Sequence, residues 1–222
     1  MALIIFDLDG TLIDSVALIV ETVTAAFEAV NEPPPTETAI RSVSGITARD
    51  AMAILTPHAG PERVEEITAS YKRHYLERAG VGRESLFAGT LDALDKLQRN
   101  PETIVAVATG KAYNGAITLL ESHGLIERFH SIQTPDHNRG KPDPQMLHTA
   151  MEKAGASPAE TVMIGDTTHD MHMAKAAGVH AIGVAWGYHT VFDLEAAGAD
   201  VIVERMDGLV SAIDELLGTT HA

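Results

Sequence analysis

Five short apolar runs, rich in β-branched residues, limit what this chain can fold into more than any other feature. They are ALIIF (2–6), TIVAVA (103–108), TVMIG (161–165), HAIGVA (180–185) and DVIVE (200–204). Runs without polar alternation belong to strands buried on both faces, and amphipathic helical patterns between them are the mark of a parallel sheet covered on either side. One such helix is legible over 143–155. Asp143 is placed to N-cap it, Pro144 takes the first helical position, Leu147, Ala150, Met151 and Ala154 form one stripe, and Gly155 stops it. The pattern predicts a Rossmann-like α/β core.

The spacing breaks once. The first run ends at residue 6 and the second starts at 103, far more than a crossover needs, so something is inserted. The insert reads as helical. Val16, Ile19, Val20, Val23, Phe27 and Val30 recur at helical spacing. So do Val64, Ile67, Tyr71 and Tyr75, with Pro61 before them and Gly80 after. TARD (47–50) reads as a capping box ahead of AMAIL. The expected division is a helical cap over 15–83 on a core of 1–14 and 84–222.

Charge narrows the partners. With 31 acidic against 16 basic side chains the net charge is −15, the wrong sign for a nucleic-acid backbone or an anionic membrane as principal partner. The absence of cysteine excludes disulfides, thiol chemistry and cysteine-ligated zinc. No basic leader precedes the first apolar run, and no apolar span reaches the ~18 residues of a membrane helix. The expectation is a soluble, cytoplasmic protein, with a homodimer left open.

Ligands of open parallel sheets bind beyond the carboxyl ends of the strands, so the residues following each run carry the function. DLDGT follows the first, TGK (109–111) the second and GDTTHD (165–170) the third, while GKPDP (140–144) lies between the second and third. In that order these segments resemble the four motifs of the haloacid dehalogenase superfamily. The resemblance covers roughly 3–188, and the helical insert is similar to the cap of its phosphoglycolate-phosphatase-like branch.

The resemblance implies phosphoryl transfer, which is mostly positioning and charge neutralisation around a hard divalent cation such as Mg²⁺. Asp7 is then the nucleophile that forms an aspartyl-phosphate. Asp9 is the acid and base for the leaving oxygen and the attacking water, and its backbone carbonyl is a metal ligand. Gly10 permits the sharp exit from the strand, and Thr11 helps to hold the loop. Thr109 with the amides of Gly110 and Lys111, expected at a helix N-terminus, cradles phosphate. Lys141 supplies a positive charge to the phosphoryl oxygens and to Asp7. Asp166 completes the metal set with Asp7 and Asp9, and Asp170 stands behind it or acts through water.

Each residue also has a plainer role. Asp14 or Ser15 reads as a helix cap, Thr109 fits an ordinary N-cap, and Asp170 suits a helix start. His169 and His172, three apart, admit a transition-metal site, though an exposed or capping role and the neighbouring oxygen ligands favour Mg²⁺. Lys111 is either a substrate contact or a solvated first-turn residue. Arg49 either reaches a substrate anion or is solvated, and Arg41 is a weaker candidate. Trp186 and Tyr188 read as packing residues.

Asp9 favours phosphoryl chemistry, since the family's dehalogenases lack an acid/base aspartate there. Lys72, the lysine of the insert, has no evident reason to form a Schiff base over the site. The expected activity is a Mg²⁺-dependent phosphatase of a small phosphorylated metabolite, phosphoglycolate first. A phosphomutase, a pyrophosphatase or a nucleotidase on the same core are alternatives. A non-catalytic binding protein is disfavoured because Asp7 and Lys141 are both present.

Overall fold

The computed structural model describes residues 1–78 and 84–221. Its elements are β1 (Ala2–Phe6), β2 (Ile13–Asp14), α1 (Val16–Ala29), α2 (Glu37–Ser42), α3 (Ala48–Leu55), α4 (Pro61–Arg78), β3 (Ser85–Leu86), α5 (Thr90–Arg99), β4 (Thr103–Ala108), α6 (Tyr113–Ser122), β5 (Ile132–Gln133), α7 (Gln145–Ala154), β6 (Thr161–Gly165), α8 (Thr168–Ala177), β7 (His180–Val184), α9 (Val191–Ala196), β8 (Val201–Val203) and α10 (Leu209–Leu217). The five predicted runs are β1, β4, β6, β7 and β8. The stop expected at Gly80 lies outside the described residues.

Six strands form one sheet in the order β5-β4-β1-β6-β7-β8, and every pairing in it is parallel. Side chains alternate between its faces. Ile4, Phe6, Val105, Val107, Val162 and Ile164 join Leu94, Leu120 and Ile213 in one buried layer. Leu3, Ile5, Ala106, Ala108 and Met163 join Met146, Leu147, Met171 and Leu194 in the other. This two-sided burial is why the runs lack polar alternation.

The insert has a core of its own. Val23, Phe27, Ile40, Met52, Val64 and Ile67 pack together, with Ile19, Val20 and Tyr71 partly buried beside them, so α1–α4 form a helical cap. The strands entering and leaving it, β2 and β3, pair antiparallel. Ser15 occupies the N-cap position of α1, but its side chain makes no capping bond. Its hydroxyl instead meets the Tyr188 hydroxyl at 3.2 Å. Thr47 does cap α3, accepting from the Asp50 amide.

From β1 the chain later pairs with β4 on one side and β6 on the other, so the switch point of the sheet falls at the carboxyl end of β1. That is where a crevice opens in such a sheet.

Candidate active site

Asp7 leaves β1 with its amide donating to the Ile164 carbonyl, so the carboxylate stands between the ends of β1 and β6. Its Oδ1 accepts the Leu8 amide at 2.7 Å. Its Oδ2 is paired with Lys141 Nζ at 2.7 Å. The same ammonium meets Asp170 Oδ1 at 2.5 Å. Asp170 Oδ2 accepts the Thr167 amide and hydroxyl at the start of α8. One side chain therefore serves the start of α8 through Oδ2 and meets Lys141 through Oδ1.

Asp166 is held rigidly. Its Oδ1 accepts the Thr11 hydroxyl at 2.7 Å and its Oδ2 accepts the Tyr188 amide at 2.8 Å. Thr11 is thus occupied in orienting Asp166. Gly10 has φ +79°, and a Cβ there would come within 2.3 Å of Asp166 Oδ2. Only glycine permits both that conformation and that approach.

Asp7, Asp166 and Asp170 each offer an oxygen within 4.8 Å of the others, and all three are buried. With all three carboxylates ionised, the one Lys141 ammonium leaves two negative charges without a cation among the described residues. Hard oxygen donors with that charge excess fit a divalent cation. Asp9's carboxylate is not part of this trio; it turns toward Lys111 instead. Neither histidine joins it. His172 is exposed, whereas His169 is half-buried against the His189 ring, 5.8 Å between centroids.

Burial pushes the Asp7 carboxyl up to about 7, an effect opposed by Lys141 and reinforced by Asp170. Burial, then Asp7 and Asp170, also raises Asp166 well above the usual carboxylate range. Lys141 is shifted upward, because Asp170 and Asp7 outweigh its own desolvation. A carboxyl raised on folding binds a proton more tightly in the folded state, so its stabilising contribution is present below the unfolded value and lost as pH rises through the folded one. In chelator-treated protein the contribution of Asp7 should fall as pH rises from about 4 to about 7, against a rise from His169 and His189, whose pKa values burial lowers. Denaturation curves of the parent and of Asp7→Asn across that range check this, and a difference (parent minus variant) that rises with pH would contradict it. A divalent cation should flatten the fall.

Lys111 is neither solvated nor free. Its Nζ pairs with Asp9 Oδ2 at 3.0 Å, donates to the Tyr75 hydroxyl at 2.7 Å and lies 4.4 Å from that ring's centroid. The Tyr75 hydroxyl in turn donates to buried Glu84 at 2.8 Å. Asp9, followed by other neighbouring groups, outweighs desolvation and raises the Lys111 pKa. Desolvation leads in raising Glu84. The sequence reading missed Tyr75 and Glu84 as polar partners, because helical spacing showed Tyr75 only as one member of an apolar stripe.

Thr109 is buried at the end of β4, its hydroxyl accepting the Lys111 amide at 3.3 Å. The expected helix N-terminus is displaced. α6 starts at Tyr113, whose amide donates to Asp136, so 109–111 form a loop. The cap rests on that loop. A Cβ at Gly110 would come within 2.4 Å of the Gly45 carbonyl oxygen. Gly110→Ala should therefore hold the cap off the core and lower kcat/KM roughly a hundredfold, with folding intact, since small misplacements remote from the chemistry have effects of that order. Steady-state kinetics beside a thermal melt test this; an unchanged kcat/KM would remove the contact from the account.

Arg49 is among the residues lining the crevice but pairs with Glu65 at 2.5 Å. Arg41 pairs with Glu37 within α2. Trp186 packs beside Phe87 and donates to the Thr11 carbonyl. Tyr188 is buried and lines the crevice as well as packing.

The family model of haloacid dehalogenase-like hydrolases matches residues 4–184. The chain belongs to that family. It is 39% identical over 218 residues to a protein described as probable phosphatase IndB of Dickeya dadantii, covering 97% of this chain and 94% of that one. It is 31% identical to the phosphoglycolate phosphatase of Photobacterium profundum, covering 95% and 94%. The crystal structure of a hydrolase from Pseudomonas syringae superposes with a TM-score of 0.87 at 28% identity, covering 97% and 99%. Among the described residues, no helix of this hydrolase is long and apolar enough to cross a membrane.

Proposed function

We propose that this chain is a Mg²⁺-dependent phosphatase that passes the phosphoryl group of a small phosphorylated metabolite through Asp7 to water. The observation that carries this is the buried trio of carboxylates with one ammonium beside the floor of the crevice. The similarity to phosphatases along nearly the whole chain supports it.

Asp7, Asp166 and Asp170 are the carboxylates that would hold Mg²⁺, with the Asp9 carbonyl as the resemblance implies. The ion would neutralise charge on the phosphoryl oxygens and the carboxylates. One Asp7 oxygen attacks phosphorus as the ester P–O bond breaks. Lys141 orients that carboxylate and opposes its charge. Asp9 Oδ1 is buried and has no hydrogen-bond partner among the described residues, so it can take up the proton that the bound phosphate monoanion brings and pass it to the departing oxygen. Asp9 then takes a proton from water, whose oxygen displaces Asp7 from phosphorus and releases orthophosphate. Thr109, Gly110 and Lys111 border the phosphate position. Residues 15–83 serve as the cap domain and 1–14 with 84–222 as the catalytic domain; closure of the cap excludes water.

The test is orthophosphate release from a set of phosphomonoesters, phosphoglycolate among them, by chelator-treated protein before and after Mg²⁺ is restored. Release only with Mg²⁺ is expected. A phosphomutase would leave phosphate on the organic product. Folded, Mg²⁺-loaded protein that neither releases nor moves phosphate would sink the proposal.

A further inference from the structure

The crevice above Asp7 and Asp9 is a cavity of about 530 Å³, within the range of pockets that enclose drug-sized ligands. It is much more room than a two-carbon acid needs. On the cap side its wall comprises Ile19, Ile40, Val43, Ile46, Met52 and the Tyr71 ring. Among the described residues, the charged groups lining it are Asp7, Asp9, Arg49, Lys72, Lys111 and Asp136. Of these three cations, Arg49 is exposed and paired with Glu65, Lys72 is exposed on α4, and Lys111, half-buried, is engaged by Asp9 and Tyr75. A carboxylate carried into the apolar part of this cavity, away from Lys111, would lose its hydration without gaining a buried cation among the described residues.

We infer that the substrate's leaving group is an uncharged, largely apolar alcohol, bulkier than glycolate, seated against the α1–α3 wall of the cap. This rests on the phosphatase reading and assigns its specificity. The cap wall discriminates by burial of the leaving group, each added methylene contributing about fourfold.

The experiment compares kcat/KM of the Mg²⁺-loaded full chain for 2-phosphoglycolate, ethyl phosphate and 2-phenylethyl phosphate. All three break a bond to a primary alcohol oxygen, so the leaving groups differ mainly in bulk and charge. 2-Phenylethyl phosphate should exceed both others by roughly tenfold or more. In Ile19→Asp, which places a carboxylate on the half-exposed wall position of α1, the ratio of 2-phenylethyl to ethyl phosphate should shrink toward one. A preference for 2-phosphoglycolate, a flat series, or a ratio unmoved by Ile19→Asp would overturn the inference while leaving the phosphatase standing. Absence of Asp7-dependent release from all three would overturn both.

Discussion

Asp7→Asn is expected to abolish phosphate release, with kcat lower by roughly four or more orders of magnitude, as is usual when a nucleophile is removed. The substitution keeps the shape of the side chain and an oxygen able to accept the Leu8 amide, but an amide does not attack phosphorus as a carboxylate does. It also lifts a charge out of a crowded site. Burial is the leading reason that Asp7 is pushed up to about 7, and Asp170 adds to it, so the uncharged variant escapes an unfavourable desolvation. Lys141 retains Asp170 at 2.5 Å. The chelator-treated variant should therefore be no less stable than the parent above pH 7. Kinetics and chemical denaturation on the same preparations separate the outcomes. Parent-like turnover would remove Asp7 as nucleophile; lost turnover together with lost folding would point to a structural role.

Lys141→Met is the second large effect, and it acts on fold and chemistry together. The ammonium is buried, and it bridges Asp7 and Asp170. Without it the trio has no cation and its like charges face one another. Removing one partner of a buried ionic cluster costs about 3–5 kcal/mol, here opposed by protonation of the carboxyls. The loss should be largest in chelator above pH 7, and smaller near pH 5, where Asp7 takes up a proton on the shift already described. A divalent cation should restore part of the stability, since it binds the folded trio. Turnover should fall about a thousandfold even with Mg²⁺, because a fixed positive charge at the reacting phosphoryl group is lost. Denaturant midpoints at two pH values, with and without cation, test the sign of each statement. Stability independent of both would mean that the three carboxylates do not interact as the geometry requires.

How much of this was legible in the chain differs from element to element. β1, β4, β6, β7 and β8 were legible because strands buried on both faces need unbroken apolar runs. β5, two residues at the sheet edge, and the β2–β3 pair were not, since two residues carry no period. The stripe of α1 was read as Val16, Ile19, Val20, Val23, Phe27 and Val30. The structure shows Val23 and Phe27 fully buried, adds Leu18, Thr22 and Ala26, and turns Ile19 toward the crevice. A helix between two environments buries more than one stripe.

By itself, the sequence determined the α/β class, the place of the insert, and three segments at strand ends that hold Asp7, Asp9, Thr109 and Asp166; the segment of Lys141 was singled out by the family resemblance. Local rules suffice for the class, the insert and the strand ends, because hydrophobic period and punctuation by glycine and proline are properties of neighbours in the chain, whereas the roles of the residues came from the resemblance of the motifs. Only the tertiary structure decided who meets whom. It gave Thr11 to Asp166 across 155 positions and Lys141 to Asp170 across 29. It drew Lys111 away from solvent into Asp9, Tyr75 and Glu84. It also faced the crevice with an apolar cap wall. Those pairings depend on how the cap lies over the switch point of the sheet, a relation between distant segments that no periodicity within either one encodes.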